Sequence, residues 1–258
     1  MRVYMISNII NGFDRLNERP LFDVSMIYED QGPEAYFQGT IFFYGFTVKK
    51  FVQENPDATL ITHKFTDRSG KPFEGAAPKS YVEVQDSQIE KAEMAVAFDV
   101  QSEIFQVNNV TFEEMEQPEW ATAAKLQKSL LNTHYCKKVE FSEVKFDRVI
   151  YPEIALATLG DTAELTIDQL NVSNCYFHLR SPFYVRSLSK AVFTTLNFKK
   201  NTLEQSTERV VMLQVGNMRP EVQTFAVIKD IISLESDVPV FHFESFTVDA
   251  SASHMFRM

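Results

Sequence analysis

Three acidic residues, Glu90, Glu113 and Asp147, are the clearest candidates for chemistry in this sequence, because they share one position of a repeating pattern. If the repeats stack in register, the three carboxylates form a column with steps of about 4.8 Å. Such a column is expected to raise the carboxylate pKa values by mutual repulsion, or to bind Ca²⁺. Arg148, which follows Asp147, belongs to the neighbouring column of the same pattern. The alternative is a solvated row of charges that neighbouring residues neutralise.

Motifs of known enzyme classes are absent from the sequence. It contains no Gly-x-Gly-x-x-Gly, P-loop, Gly-x-Ser-x-Gly or His-Glu-x-x-His segment. The five histidines show no metal-ligand spacing, and Cys136 and Cys175 are too few for a metal framework or a disulfide scaffold. We therefore predict no cofactor and no metal, and we expect Cys175 to be a small buried thiol.

Composition limits the partners and the compartment. The 258 residues are 45% hydrophobic, which is enough to bury a substantial core. A net charge of −10 argues against binding to nucleic acids or anionic membranes, and no apolar run approaches the ~20 residues of a membrane span. We expect a cytoplasmic or cytoskeletal protein if the chain is complete, and a cell-surface protein if it was cut from a secreted precursor.

The acidic residues belong to an eleven-residue motif that is apolar at positions 1, 3, 6, 8 and 11. Three copies have polar residues at all six other positions, a pattern expected by chance roughly 0.1 times in a chain of this length. These full copies begin at Phe105, Val139 and Leu165. Near or weaker copies begin at Tyr4, Ile41, Val82, Ala191 and Ala226.

Each gap between copies contains one short apolar stretch. The stretches are Leu21 to Val24, Thr59 to Ile61, Ala95 to Phe98, Ala123 to Leu126, Ile154 to Ala157, Phe183 to Val185 and Val210 to Leu213, and Val240 to Phe243 follows the last copy. The segment Trp120 to Leu131 is also the best helix candidate in the chain.

The spacing of the motif predicts two strands joined by a corner. Positions 1 and 3 share one face of a strand, and so do positions 6 and 8, but the step from 3 to 6 breaks the alternation unless the chain bends there. With the short stretch in each gap, every repeat becomes three strands. This pattern predicts an all-β parallel solenoid with about three short strands per coil and roughly seven to eight coils. It predicts a single domain over residues 1–258, which is either a whole solenoid or a segment of a longer one. A β-sandwich would explain the alternation but not the recurring bend.

Stacked coils also explain the 23 phenylalanines, which we expect in interior columns. One predicted column contains Phe43, Phe105, Phe141 and Phe193, and the other contains Phe46, Phe112, Phe146 and Phe198.

Three segments carry a family resemblance: FSEVKF at 141–146, LTIDQLNVSNC at 165–175 and VFTTLNFKKN at 192–201. They resemble coils of right-handed parallel β-helix proteins of the pectin-lyase-like group, and most of all the degenerate repeats of large non-catalytic β-helix proteins of ciliates and other protists. The resemblance implies a right-handed β-helix and specifies a fold rather than an activity. Enzymes of this fold that cleave polysaccharides use stacked acids and a basic residue, which is the role it would give to Glu90, Glu113, Asp147 and Arg148.

Two functions remain open. The first is a non-catalytic scaffold that binds other proteins through its coil faces and its ends, which lack a clear capping helix. Phe42 and Tyr44 are expected to point outward, toward a partner or a neighbouring element of the chain. The alternative is that a loop covers them and makes them part of the interior. The second is a carbohydrate-binding β-helix, or a polysaccharide lyase or glycoside hydrolase, at the cell surface.

Overall fold

Every regular element that the structure describes is a β-strand. The computed structural model describes residues 2–6, 9–11, 19–27, 39–69, 71–74, 79–125, 127–186, 188–204, 211–216, 225–235, 239–244 and 247–249. Within these ranges the chain forms 24 strands and no helix, which confirms the all-β prediction. It follows that none of the described residues lies in a helix suited to crossing a membrane.

The larger sheet has fourteen strands, and all of its strand pairs are parallel. Its strands are β1 (Arg2–Ile6), β2 (Ile9–Asn11), β5 (Gly39–Tyr44), β6 (Thr47–Lys49), β9 (Ser80–Glu90), β11 (Ile104–Glu116), β13 (Lys138–Ser142), β14 (Lys145–Tyr151), β16 (Glu164–Ser173), β17 (Tyr176–Phe177), β19 (Lys190–Lys199), β20 (Thr202–Leu203), β22 (Phe225–Leu234) and β24 (Thr247–Asp249).

The second sheet has eight parallel strands, and a third sheet has two. The eight strands are β3 (Phe22–Asp23), β7 (Ile61–His63), β10 (Phe98–Val100), β12 (Leu131–His134), β15 (Ala157–Gly160), β18 (Phe183–Arg186), β21 (Leu213–Gly216) and β23 (Phe241–Glu244). The two-stranded sheet pairs β4 (Met26–Ile27) with β8 (Phe65–Thr66).

The chain passes alternately through the two large sheets. Strand β9 pairs with β11, and the strand between them, β10, pairs with β12, which follows β11. Parallel neighbours cannot be joined by a tight hairpin, so each connection must travel around to the other sheet and back. This arrangement is consistent with the predicted β-solenoid.

Strand pairing confirms the register that the motif predicted. The first positions of successive copies pair in the order Ile41, Val82, Phe105, Val139, Leu165, Ala191 and Ala226. The copy nearest the start was wrong by one residue, because Val3 pairs with Ile41 whereas Tyr4 pairs with Phe42. A shift of one residue matters in a strand, since it exchanges the two faces.

The predicted corner is a single residue in the left-handed backbone region. At position 5 of the copies, φ is 66° at Gly45 and between 50° and 55° at Asp86, Asn109, Glu143, Gln169, Thr195 and Asp230. Position 10 repeats the conformation, with φ between 53° and 55° at Lys50, Lys91, Glu114, Arg148, Asn174, Lys200 and Glu235. One such residue acts as a bulge that resets the alternation. The apolar positions on both sides of it can therefore all face the core.

The phenylalanines fill the core but do not form the two predicted columns. Phe105 is at position 1 and pairs with Val82 and Val139, so it is not in the column of Phe43 and Phe141, which are at position 3. In the second set, Phe46 is at position 6 and the others are at position 8. Two of these stack, with the ring centroids of Phe112 and Phe146 4.9 Å apart and their planes 8° apart, but Val172 separates Phe146 from Phe198.

Rings from the second sheet pack against these phenylalanines. Phe98 makes edge-to-face contacts with Phe105 and Phe112, at centroid distances of 6.3 and 6.0 Å, and Phe183 contacts Phe146 at 5.8 Å. Since both sheets contribute side chains to one interior of limited width, close packing requires smaller residues between the rings.

The helix predicted over Trp120 to Leu131 was wrong. The described residues of this segment form turns, and the strand of this gap begins at Leu131 rather than at Ala123 to Leu126. Side chains from distant parts of the chain satisfy backbone groups of this segment. Arg180 Nη2 donates to the carbonyl of Ala123 at 2.8 Å, and the N–H of Ala123 donates to Glu153 Oε2 at 3.0 Å.

Both cysteines are buried, as predicted for Cys175. Burial raises the pKa of the Cys136 thiol to about 11 and that of Cys175 to about 12. Both sulfur atoms therefore stay protonated and weakly nucleophilic at neutral pH.

Candidate functional site

The three predicted acidic residues do form one column on the outside of the larger sheet. Glu90 pairs with Glu113, and Glu113 pairs with Asp147, so their side chains occupy neighbouring strands about 4.8 Å apart. Lys49 precedes them in the same column and its Nζ lies 2.6 Å from a carboxylate oxygen of Glu90.

Arg148 lies beside the column and neutralises part of its charge. Its guanidinium contacts Glu113, approaches Glu114 to 3.0 Å and donates to Asp147 at 2.7 Å. One cation thus spans two neighbouring strands and three carboxylates. The structure places the four candidate catalytic residues on neighbouring strands. Glu113, Asp147 and Arg148 share one set of ion pairs, whereas Glu90 pairs with Lys49.

Asp147 is the most enclosed member of the column, and its pKa moves opposite to the prediction. Its Oδ1 accepts hydrogen bonds from Ser173 Oγ and Asn174 Nδ2, both at 2.8 Å. Partial burial alone would raise the pKa, but these hydrogen bonds and the charge of Arg148 lower it. The raised pKa expected from mutual repulsion is therefore wrong for Asp147. Within the described ranges, no three His, Cys, Asp or Glu side chains converge closely enough to hold a metal ion.

Replacing Asp147 with alanine is expected to lower the free energy of unfolding by about 1.5–3 kcal/mol, because its charged hydrogen bonds hold three neighbouring side chains. Urea denaturation with a fixed m-value measures this change. Glu113→Ala is the matched control, since Arg148 keeps Glu114 and Asp147 as partners, and a smaller effect is expected. Equal losses in the two variants would contradict the structural role assigned to Asp147.

A second polar cluster, which sequence reasoning missed, surrounds Asp99 on the outside of the second sheet. Asp99 is 0% exposed, and its Oδ2 lies 2.5 Å from Lys64 Nζ and 2.9 Å from Lys128 Nζ. Its Oδ1 accepts a hydrogen bond from Asn132 Nδ2 at 2.9 Å, and His134 Nε2 lies 3.6 Å away. We call these five residues the Asp99 cluster.

The two lysines come from irregular segments, which is why the repeat did not reveal them. Lys64 lies between strands β7 and β8, and Lys128 precedes β12 in the long connection after β11. The only indication in the sequence is the carboxylate itself, since Asp99 interrupts the buried apolar run from Ala95 to Val100. A charge in such a run needs a partner from elsewhere in the chain.

The lysines control the electrostatics of the cluster. Burial alone would raise the pKa of Asp99, but the charges and hydrogen bonds of Lys64 and Lys128 lower it to about 2. Burial also opposes charge on Lys128, yet Asp99 raises its pKa. Burial lowers the pKa of His134, and the two lysines add to that effect, so its imidazole is neutral at neutral pH.

A shallow groove of about 320 Å³ lies on the outside of the larger sheet, near its β22 side. We call it the outer groove. It is lined by Lys145, Asn171, Val172, Ser173, Asn197, Phe198, Lys199, Ile232 and Leu234. Its two edges are side-chain columns at positions 7 and 9 of the motif.

The outer groove combines apolar, amide and cationic groups. Ile232 and Leu234 are 42% and 44% exposed, which is unusual for adjacent outward residues of this size. Asn197 Nδ2 donates to Asn171 Oδ1 at 3.0 Å, so the amides form a short ladder. Lys145 and Lys199 are exposed, and no carboxylate in the described part of the chain lies within 4 Å of either ammonium.

Phe42 and Tyr44 point outward from β5, as predicted, because they alternate with buried Ile41 and Phe43. Their rings lie nearly parallel, with centroids 6.1 Å apart and planes 9° apart, and Tyr44 is 37% exposed. The rings cover each other in part, so this surface offers less open apolar area than two separate aromatic side chains. Its use by a partner stays a prediction.

No family model, curated protein or solved structure matches the chain.

Proposed function

We propose that this protein is a non-catalytic scaffold that binds another protein through the outer groove. We further propose that the chain is a right-handed parallel β-helix of the pectin-lyase-like kind, with about three strands per coil and roughly seven to eight coils. The parallel sheets, the alternation of the chain between them and the recurring left-handed corners support this fold.

The observation that carries the proposal is the pair of adjacent exposed aliphatic side chains, Ile232 and Leu234, at one end of the groove. Full burial of an exposed side chain of this size stabilises by roughly 1.5–3 kcal/mol, so exposures of 42% and 44% forgo roughly 0.6–1.3 kcal/mol for each side chain. A partner that covers them recovers part of this free energy. The strand beneath holds them at fixed spacing, so little ordering is needed on binding.

The rest of the groove indicates what the partner contains. Lys145 and Lys199 offer positive charge on a chain whose net charge is −10, so they favour an acidic segment at this place. Asn171 and Asn197 offer amide groups that can bond to an extended backbone. We therefore propose a partner segment with an apolar anchor next to Asp or Glu residues. The ends of the chain and the Phe42–Tyr44 surface are further proposed contacts.

Replacing Ile232 and Leu234 with glutamate is expected to abolish this binding, because the variant loses the apolar contact and repels acidic groups. Proteins captured by the immobilised chain are compared between the wild type and Ile232→Glu/Leu234→Glu. A captured protein is then purified, and its dissociation constant is expected to rise about tenfold or more in the variant.

Ile150→Glu provides the matched control, since Ile150 is 48% exposed on the same sheet but outside the groove. It should bind like the wild type. If the groove variant and the control bind every captured protein equally well, the proposal is wrong. Binding of a polysaccharide in a glycan array, lost in Asn171→Ala/Asn197→Ala, would instead favour the carbohydrate-binding alternative, which the amide ladder also suits.

A further inference from the structure

The Asp99 cluster contains more positive than negative charge. Lys64 and Lys128 both approach the same oxygen, Asp99 Oδ2, at 2.5 and 2.9 Å. Their two Nζ atoms are therefore close neighbours, and two ammonium groups share one carboxylate. The Asp99 carboxylate binds both ammonium groups from the protein side. Its single negative charge compensates only part of the repulsion between them.

The lysines keep an accessible side that faces solvent. Their side chains are 26% and 25% exposed, whereas Asp99 is fully buried beneath them. An ammonium group has three N–H donors, and Asp99 engages only part of this capacity. On the outside, Asp57 approaches Lys128 Nζ to 3.7 Å with a side chain that is 76% exposed. An ion pair with such an exposed carboxylate contributes little to stability. An anion that binds the ammonium group more strongly can therefore displace Asp57.

We infer that Lys64 and Lys128 form a binding site for a phosphoryl group. A tetrahedral dianion bridges the two ammonium groups from the solvent side, as the Asp99 carboxylate does from the protein side, and it takes the place of Asp57. Lysine suits this role because it binds phosphate as a compact point charge. Asp99 positions the two lysines and does not contact the ligand.

The fixed spacing of the two ammonium groups distinguishes this place from an ordinary surface lysine. Flexible lysines lose considerable side-chain entropy when they converge on a ligand. Here Asp99 has already ordered both side chains, so less of this entropy is lost on binding. This inference does not depend on the outer groove, which lies on the other sheet.

Binding is measured by ³¹P NMR and calorimetry at constant ionic strength, with inorganic phosphate, a phosphoserine peptide and the same peptide without phosphate. We expect the phosphate-bearing probes to bind and the unmodified peptide not to bind. Binding of the phosphopeptide alone identifies a phosphorylated partner as the source, and equal binding of both probes identifies free phosphate. Lys128→Gln is expected to weaken binding about tenfold.

Two further variants make the result specific. Asp57→Asn is expected to strengthen phosphate binding, because it removes the competing carboxylate from an exposed position. Lys49→Gln is the matched control, since Lys49 also pairs with a carboxylate at 2.6 Å but lies on the larger sheet. Equal affinity of the wild type, Lys128→Gln and Lys49→Gln would overturn the inference, as would weaker binding by Asp57→Asn.

Discussion

Replacing Asp99 with alanine is expected to lower the free energy of unfolding by about 3–5 kcal/mol, the usual cost of removing one partner of a buried ion pair. The variant leaves Lys64 and Lys128, each about three-quarters buried, without the carboxylate that both contact. It also removes one of the two partners of the Asn132 side-chain amide, whose Nδ2 then keeps only His134 Nε2 at 2.8 Å. The midpoint of urea denaturation measures the loss if the m-value is unchanged.

A compensating variant separates the charge effect from general damage to the fold. In Lys64→Met/Asp99→Leu/Lys128→Met, all three charges are replaced by apolar side chains of similar length. Such replacements of buried ion pairs are often neutral or stabilising, so this variant should recover most of the loss. If it is as unstable as Asp99→Ala, the ion pairs are not what stabilises this region.

The same carboxylate gives a distinct response to acid. The pKa of Asp99 is about 2 in the folded chain, below the ordinary value of 3.8, so the unfolded chain binds a proton first as the pH falls. The stability that the ionised Asp99 carboxylate contributes is fully present above about pH 4. It is lost as the pH falls from about 4 to about 2. The loss corresponds to about 2 kcal/mol, and Asp99→Ala should not show it.

Acidification from pH 7 to pH 4 is expected to lower the free energy of unfolding by about 3 kcal/mol through His63 alone. This imidazole is 0% exposed, between β7 and the segment that contains Val24, and its Nδ1 lies 2.8 Å from the Val24 carbonyl. Burial disfavours the charged form and lowers the pKa to about 4 from 6.5, although the Val24 contact and Asp23 oppose this shift.

The sign of this pH dependence follows from whether the folded or the unfolded chain binds the proton. Above about pH 6.5, the folded and unfolded chains both hold neutral imidazole, and stability is at its maximum for this group. Between pH 6.5 and 4 only the unfolded chain is protonated, so stability falls across that window. Urea denaturation at half-unit steps of pH measures the slope, and it separates His63 from Asp99, whose window lies lower.

His63→Leu removes the titrating group and should flatten most of this slope. The pKa of His134 is also lowered by burial, so a smaller slope of the same sign remains in this variant and disappears in His63→Leu/His134→Gln. His178→Gln is the control, because His178 is more accessible and its ring contacts the carbonyl of Glu204 at 3.1 Å. A wild-type slope that persists in the double variant would contradict the assignment to these histidines.

The two buried polar sites share a region of the molecule. His63 and Lys64 are consecutive residues at the end of β7, and Val100, which pairs with His63, follows Asp99. Protonation of His63 would therefore act close to the Lys64 side chain that we place in the phosphoryl site. The outer groove is on the other sheet, so its partner binding should respond less to mildly acidic pH than phosphate binding does.

The sequence was sufficient to predict most of the strands, the register of every copy except the one nearest the start, and the acidic column. Side chains alternate between the two faces of a strand, and the left-handed residues at positions 5 and 10 of the motif reset this alternation. One set of side chains can therefore face inward throughout, and a shift of one residue would bury the polar set instead. For this reason Glu90, Glu113 and Asp147 could be aligned without coordinates. The pattern did not indicate the turns of the Trp120 to Leu131 segment, and the predicted phenylalanine columns combined residues that hold different positions of the motif.

Only the tertiary structure determined which residues meet outside the repeat. Lys64 and Lys128 lie in connections without periodicity, and their distance from Asp99 along the chain contains no information about distance in space. The span of Arg148 across two strands and the joint exposure of Ile232 and Leu234 likewise depend on side-chain packing between neighbouring strands. Periodicity specifies the face on which a side chain lies, whereas contacts between loops and faces depend on the path of the folded chain.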